Sequence, residues 1–172
     1  MKKVLFIILL LTCANSFAQK ITVEGSFEAI KDYPTLKVEM EFQKILGMSV
    51  EDFAVYETDW EKDKPEIIDN FLTSAAENIQ GLLFNPNFNT PYTLRVIVSS
   101  ITRAELICSA DLIDEAGNVV GQIDNFIYRK NSAVGGTKLH ALKKIAYFAG
   151  ADFGVSFCKV AGRRRHFLDN IY

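Results

Sequence analysis

The stretch "YTLRVIVSSITRAELICSADLIDEAGNVVGQIDNFIYRK", residues 92–130, decides how this chain folds. Leu94, Val96 and Val98 alternate with Arg95 and Ile97, and Leu106, Cys108, Ala110 and Leu112 alternate with Ile107 and Asp111. A period of two puts each set on one side of an extended strand. A third strand follows in "NVVGQIDNFIYRK". The link "DEAGN" carries Gly117 and Asn118, which tolerate positive φ, and reads as a tight hairpin. Three consecutive strands of this kind predict an antiparallel meander with one face turned to a core.

The partner of that face comes next in the chain. After the loop "NSAVGG", Thr137 caps a helix from about Lys138 to Lys159. Within it Ala146, Gly150, Gly154 and Cys158 recur every four residues and form a smooth groove flanked by Phe153 and Phe157. Lysines and Asp152 interrupt the apolar run, so it is no membrane span. Two interior glycines cost about 1 kcal/mol each against alanine, which close packing must offset. The reading presses this row onto the sheet, against the small residues Cys108 and Ala110.

Upstream, Ile21 and Val23 mark a short strand. "TLKVEMEF" alternates Leu36, Val38, Met40 and Phe42 with Lys37, Glu39 and Glu41. Ser49 with Asp52 starts a short helix. Pro65 suits the first turn of a longer one, along which Ile68, Phe71, Leu72, Ala75, Ile79 and Leu82 follow at helical spacing. "NPNFNTP" stops it. The order β-β-(α)-α-β-β-β-α predicts an α+β domain: a single, mostly antiparallel sheet of about five strands with two main helices on one face.

At the start, Lys2 and Lys3 precede an apolar run from Val4 to Leu11 and a small-x-small site at Ser16-Phe17-Ala18. This predicts a signal peptide over residues 1–18, cleaved after Ala18, and an exported domain over 19–172 with a basic tail from about 161. A lipoprotein anchored at Cys13 fits poorly, because Leu11-Thr12 is a weak lipobox. Hydrophobic residues make up 49% of the chain, too many for disorder. Export leaves Cys108 and Cys158 free to form a disulfide across the helix–sheet interface.

No linear motif asks for catalysis, a cofactor or a metal. Gly135-Gly136-Thr137-Lys138 lacks the first glycine and the Lys-Thr order of a phosphate loop. Asp59, Glu61 and Asp63 start like a calcium loop, but Lys64 stands where glycine is needed. Charge is uneven: residues 51–69 hold eight acids and two lysines, and residues 129–165 hold nine basic groups and one acid. Export argues against nucleic acid as the basic region's partner. Peripheral membrane or glycan contact through Arg163, Arg164 and Arg165 is the alternative to a solvated surface.

The inward sets leave Arg95, Ile97, Ser99 and Ile101, then Glu105, Ile107, Ser109, Asp111 and Ile113, then Gln122, Asp124, Phe126 and Tyr128 on the far side of the sheet. Aromatics and arginine anchor interfaces, so Arg95, Ile107, Phe126 and Tyr128 are the predicted partner-binding residues. The competing expectation is that the N-terminal strands or the helix near Phe53 cover this face.

The strand–hairpin–strand "ADLIDEAGNVVGQI", with the helix "TKLHALKKIAYFAGADFG", resembles a common envelope domain. It is similar to the small α/β domains of the penicillin-binding-protein activator LpoB, the curli secretion protein CsgG and the N-terminal domain of TolB. The "SFAQ" signal end is similar to that of secreted proteins of Bacteroidota. The resemblance covers roughly residues 66–160 and is one of pattern. It implies a non-catalytic periplasmic or surface module that binds an envelope protein or itself. The alternative is a small secreted hydrolase or ligand-binding protein with a site built from loops.

Overall fold

The computed structural model describes residues 21–165. Residues 1–20, which hold the expected signal peptide and Cys13, and residues 166–172 lie outside them. The strands are β1 (Thr22–Gly25), β2 (Thr35–Phe42), β3 (Lys44–Ile45), β4 (Met48–Ser49), β5 (Leu83–Asn85), β6 (Tyr92–Ile101), β7 (Glu105–Asp114) and β8 (Val119–Arg129). The α-helices are α1 (Val50–Tyr56), α2 (Trp60–Glu77) and α3 (Lys138–Val160).

The class is α+β as expected, but the sheet is larger and mixed. Its order is β1-β8-β7-β6-β2-β5, with β3 and β4 attached beside the end of β6. The meander β6–β7–β8 and the edge strand β1 are antiparallel, whereas β2 runs parallel to both β6 and β5. Parallel neighbours need a long crossover, and α1 with α2 supply it. The three short strands escaped the sequence reading because two- and three-residue strands show no period. β3 and β4 turn tightly at Leu46 and Gly47, both with positive φ, the geometry a two-residue hairpin prefers.

Helix boundaries follow their caps. The Ser49 hydroxyl accepts from the Asp52 amide at 3.1 Å, and the Thr137 hydroxyl accepts from the His140 amide at 3.2 Å. α2 starts earlier than Pro65 suggests, at Trp60, whose ring packs edge-on against Phe42 and Phe53. It also ends earlier, at Glu77.

The smooth row of α3 faces α2, not the sheet. A Cβ built on Gly150 would lie 2.2 Å from the Phe71 carbonyl oxygen, and one on Gly154 would lie 2.3 Å from that of Ala75. The helices therefore touch backbone to backbone. They run in the same direction: Lys143, Gly150, Gly154 and Cys158 meet Asp63, Phe71, Ala75 and Asn78 in that order. Phe153 does the work expected on the sheet side. Its ring lies 5.3 Å from Phe126, 5.4 Å from Phe71 and 5.9 Å from Phe157.

Opposite charges from the two blocks meet along this seam. Lys143 Nζ bonds Asp63 at 2.7 Å and Glu66 at 2.6 Å, and Lys138 bonds Glu57 at 2.6 Å. Two lysines of the basic block thus pair with three acids of the acidic block. Hydrogen bonds to the two carboxylates hold the Lys143 ammonium above its ordinary pKa.

Candidate interaction surface

Both main helices lie on one face of the sheet. The outward side chains of the other face stay partly exposed in each long strand, Asp111 excepted. The expected competitor is absent among the described residues: Phe27, Ile30 and Phe53 are buried on the helix side of the fold, where Phe27 packs against Phe157 of α3 and Phe53 against Trp60 of α2.

At the centre of the open face Arg95 on β6 stands directly across from Asp111 on β7. Their charged atoms are 3.0 Å apart. Asp111 is only 8% exposed, the most buried charged side chain among the described residues, because strands flank it on both sides. Ile107 is on this face as predicted. It pairs across the ladder with Ile127 of β8, and Ile97 lies nearby on β6 opposite Ser109. Three isoleucines on adjacent strands thus form one partly exposed cluster.

Phe126 and Tyr128 are not on this face. A bulge in β8 sets Asp124 and Asn125 together against Ser109, and Asn125 takes a positive φ of 56°. The extra residue reverses the alternation from there on. Phe126 is 4% exposed beneath Phe153, and Tyr128 stacks on Phe148 of α3. Ile127 takes the outward place that strict alternation gives to its neighbours. A second bulge at Ser99 likewise sends Ile101 inward, to 1% exposure. The signal for the first bulge was legible: asparagine tolerates the left-handed region better than other residues with a Cβ.

Cys108 and Cys158 are buried free thiols, not a disulfide. Cys108 lies in the middle of the sheet between Val98 and Phe126. Cys158 points instead at the end of α2, its Sγ 3.5 Å from the carbonyl oxygens of Asn78 and Arg164. Helix–helix packing of the smooth row turns it away from the strands. Burial pushes both thiols above their ordinary pKa.

The basic tail is partly consumed by the fold. Arg163 Nη1 donates to the carbonyls of Ile30 (2.9 Å), Lys31 (2.7 Å) and Tyr33 (2.9 Å), and Nη2 donates to Gly81 at 2.9 Å. One guanidinium thus clasps two segments, which leaves Arg163 half-buried. Arg164 and Arg165 remain exposed. The Gly135-Gly136 loop is similarly held, by Arg103 Nη1 on the carbonyls of Val134 and Gly136. In the calcium-like stretch Asp59 only precedes α2, while Asp63 is engaged with Lys143. Among the described residues no three His, Cys, Asp or Glu side chains cluster as metal ligands, and no helix is long and apolar enough to cross a membrane.

One concavity escaped the sequence reading because it joins residues distant in the chain. A groove of about 520 Å³ runs between α2 and β5, floored by Pro65, Ile68, Leu72, Phe84 and Pro86.

No protein-family model matches the chain, and no curated protein does. Among solved structures it is similar to two PelC dodecamers from Paraburkholderia phytofirmans. One, a point variant, is 13% identical with a TM-score of 0.35, over 77% of this chain and 94% of that one. The other is 11% identical with a TM-score of 0.39, over 77% and 96%. An uncharacterised protein is similar at 11% identity and a TM-score of 0.34, over 73% and 88%. Likeness this distant carries no argument about function.

Proposed function

We propose that the chain is an exported, non-catalytic envelope module that docks a protein on the helix-free face of its sheet. One observation carries the reading. All three helices sit on one side, while the other side presents Ile97, Ile107 and Ile127 as a single partly exposed cluster around strands β6, β7 and β8. A merely solvated face would not group its branched apolar residues, and exposed apolar area rimmed by polar groups marks association sites. Arg95 and Ile107 are the residues of the predicted set that this face retains.

The test is the double variant Ile107→Asp with Ile127→Asp, compared with wild type for folding, oligomeric state and partner capture from envelope extracts. A folded variant that loses association supports the reading; a folded variant with unchanged association overturns it. Export is checked separately. The mature protein should begin at Gln19 by mass spectrometry, and a diacylated Cys13 would overturn that start.

The groove between α2 and β5 favours the second reading, a small-ligand-binding protein, because its volume and apolar floor suit a small molecule. An environment-sensitive dye that binds wild type but not Ile68→Glu would support it.

A further inference from the structure

Resting on the docking role of the open face, we propose that its partner presents an amphipathic helix whose apolar stripe is flanked on both sides by lysine or arginine. The argument starts from the charges. Three outward cations have an acid, Lys37 with Glu39, Arg95 with Asp111 and Arg129 with Glu105, and exposed Lys44 on β3 has none among the described residues within ion-pair distance. Glu24, Glu41 and Asp124 are left over, and among the described residues no cation stands within ion-pair distance of them. The face is therefore acidic in excess, although α3 on the opposite side is rich in lysine.

The placement of these acids sets the shape of the partner. Glu41 on β2 stands opposite Ile97 of β6. Asp124 on β8 shares the bulge opposite Ser109 of β7, and the Gln122 amide donates to its carboxylate at 3.3 Å. Glu24 on β1 stands opposite Gln122 one row further along. Ile97 on β6 and Ile107 on β7 lie between these two acidic margins, and Ile127 lies on β8 itself, three residues beyond Asp124. β2 and β8 are three strand spacings apart, about 14 Å. A helix is about 10–12 Å across with its side chains. It fills that strip with its apolar face on Ile97, Ile107 and Ile127, and basic residues on its two flanks reach Glu41 on one side and Asp124 on the other. An extended strand about 5 Å wide covers only one margin. Anionic lipid and nucleic acid have the wrong sign for this surface.

The probe is a 14-residue peptide with a leucine stripe flanked by lysines, beside a twin whose lysines are glutamates. Both are titrated into isotopically labelled protein by NMR. The lysine peptide is expected to move the amides of β6–β8 around Ile107 and to bind at least tenfold tighter than its twin. Glu41→Lys with Asp124→Lys should remove that preference, while the helix-side spectrum stays unchanged. Equal binding of the two peptides overturns the proposal, as do shifts confined to the α2–β5 groove. A dimer through this face that the lysine peptide cannot displace also overturns it, in favour of a second copy as occupant. If neither peptide binds but Ile107→Asp with Ile127→Asp still abolishes association, this inference fails and the docking face survives. If that double variant changes nothing, both fail.

Discussion

On the helix side of the sheet, Leu36, Val38, Leu94, Val96, Val98, Leu106, Ala110 and Leu112 are at most 1% exposed. One residue along the same strands, Ile97, Ile107 and Ile113 keep part of their surface in solvent and sit among Glu39, Arg95, Asp111 and Glu41. Two surfaces made from identical backbone therefore differ in chemistry by a shift of a single position. Where the backbone gains one residue, at Ser99 or Asn125, the next side chains change surface. That is how Ile101 and Phe126 come to the core. The contrast implies that equal chemical insults should have very unequal effects on the two sides, and the following variants measure that inequality.

Among substitutions that add or remove bulk, the largest effect belongs to Gly154→Leu. Added bulk in a packed core ordinarily costs about 1–3 kcal/mol. Here the obstacle is the Ala75 carbonyl of α2, which cannot rotate away as a side chain can. A loss of at least about 4 kcal/mol in denaturant unfolding is expected. A loss under about 1 kcal/mol would mean that the helices are not in backbone contact. Phe126→Ala comes next, at about 3 kcal/mol, since its ring packs under Phe153 and its removal leaves a cavity. An outward Phe126 would lose almost nothing, so this variant tests the bulge directly.

Arg163→Ala should cost about 2 kcal/mol. The segments at Ile30–Tyr33 and Gly81 lose their shared charged donor, and bonds to charged groups exceed neutral ones. Arg163→Lys should rescue little, because one ammonium cannot span carbonyls from both segments. Lys143→Met is smaller, about 1 kcal/mol, for a pair still in partial contact with water. Its pH dependence has a definite sign. The folded pKa of Lys143 lies above the unfolded value near 10.4, so its contribution is complete below that pH and disappears as pH rises through the folded value. The difference between wild type and Lys143→Met should stay constant from about pH 7 to 9 and close only in stronger alkali.

Much of this was legible in the sequence, and the remainder divides by physical cause. Thr35–Phe42 and the α3 cap at Thr137 followed from alternation and from a hydroxyl placed before a helix. The parallel pairing of β2 with β6 was not legible, because a side-chain period says nothing about strand direction. Ala146, Gly150, Gly154 and Cys158 announced a close approach but not its partner, since a smooth groove accepts either a strand or a helix. Arg95 and Ile107 kept their predicted places. Phe126 and Tyr128 did not, because they lie beyond a bulge, and Ile127 was missed for the same reason.

Ile107→Asp is the smallest expected effect on stability and the sharpest test of the contrast between the two faces. A charge introduced on the inner face at Cys108, one residue away, would be buried at a 2% exposed position and should unfold the protein. On the outer face the new carboxylate reaches solvent, and what disappears is part of the contact with Ile127 and Ile97. The lost apolar burial is partial, so the change should stay below about 1 kcal/mol, near the range of ordinary surface substitutions. Glu105 and Asp111 lie two and four residues away on the same strand face, and their repulsion adds a little that salt should remove. Thermal unfolding in low and high salt measures both contributions. A melting temperature close to wild type, with Cys108→Asp unfolded beside it, establishes that the outer cluster is not maintained by the folding of this chain. A collapse of both variants alike would make the outer face core, and the isoleucines would need no partner to explain them.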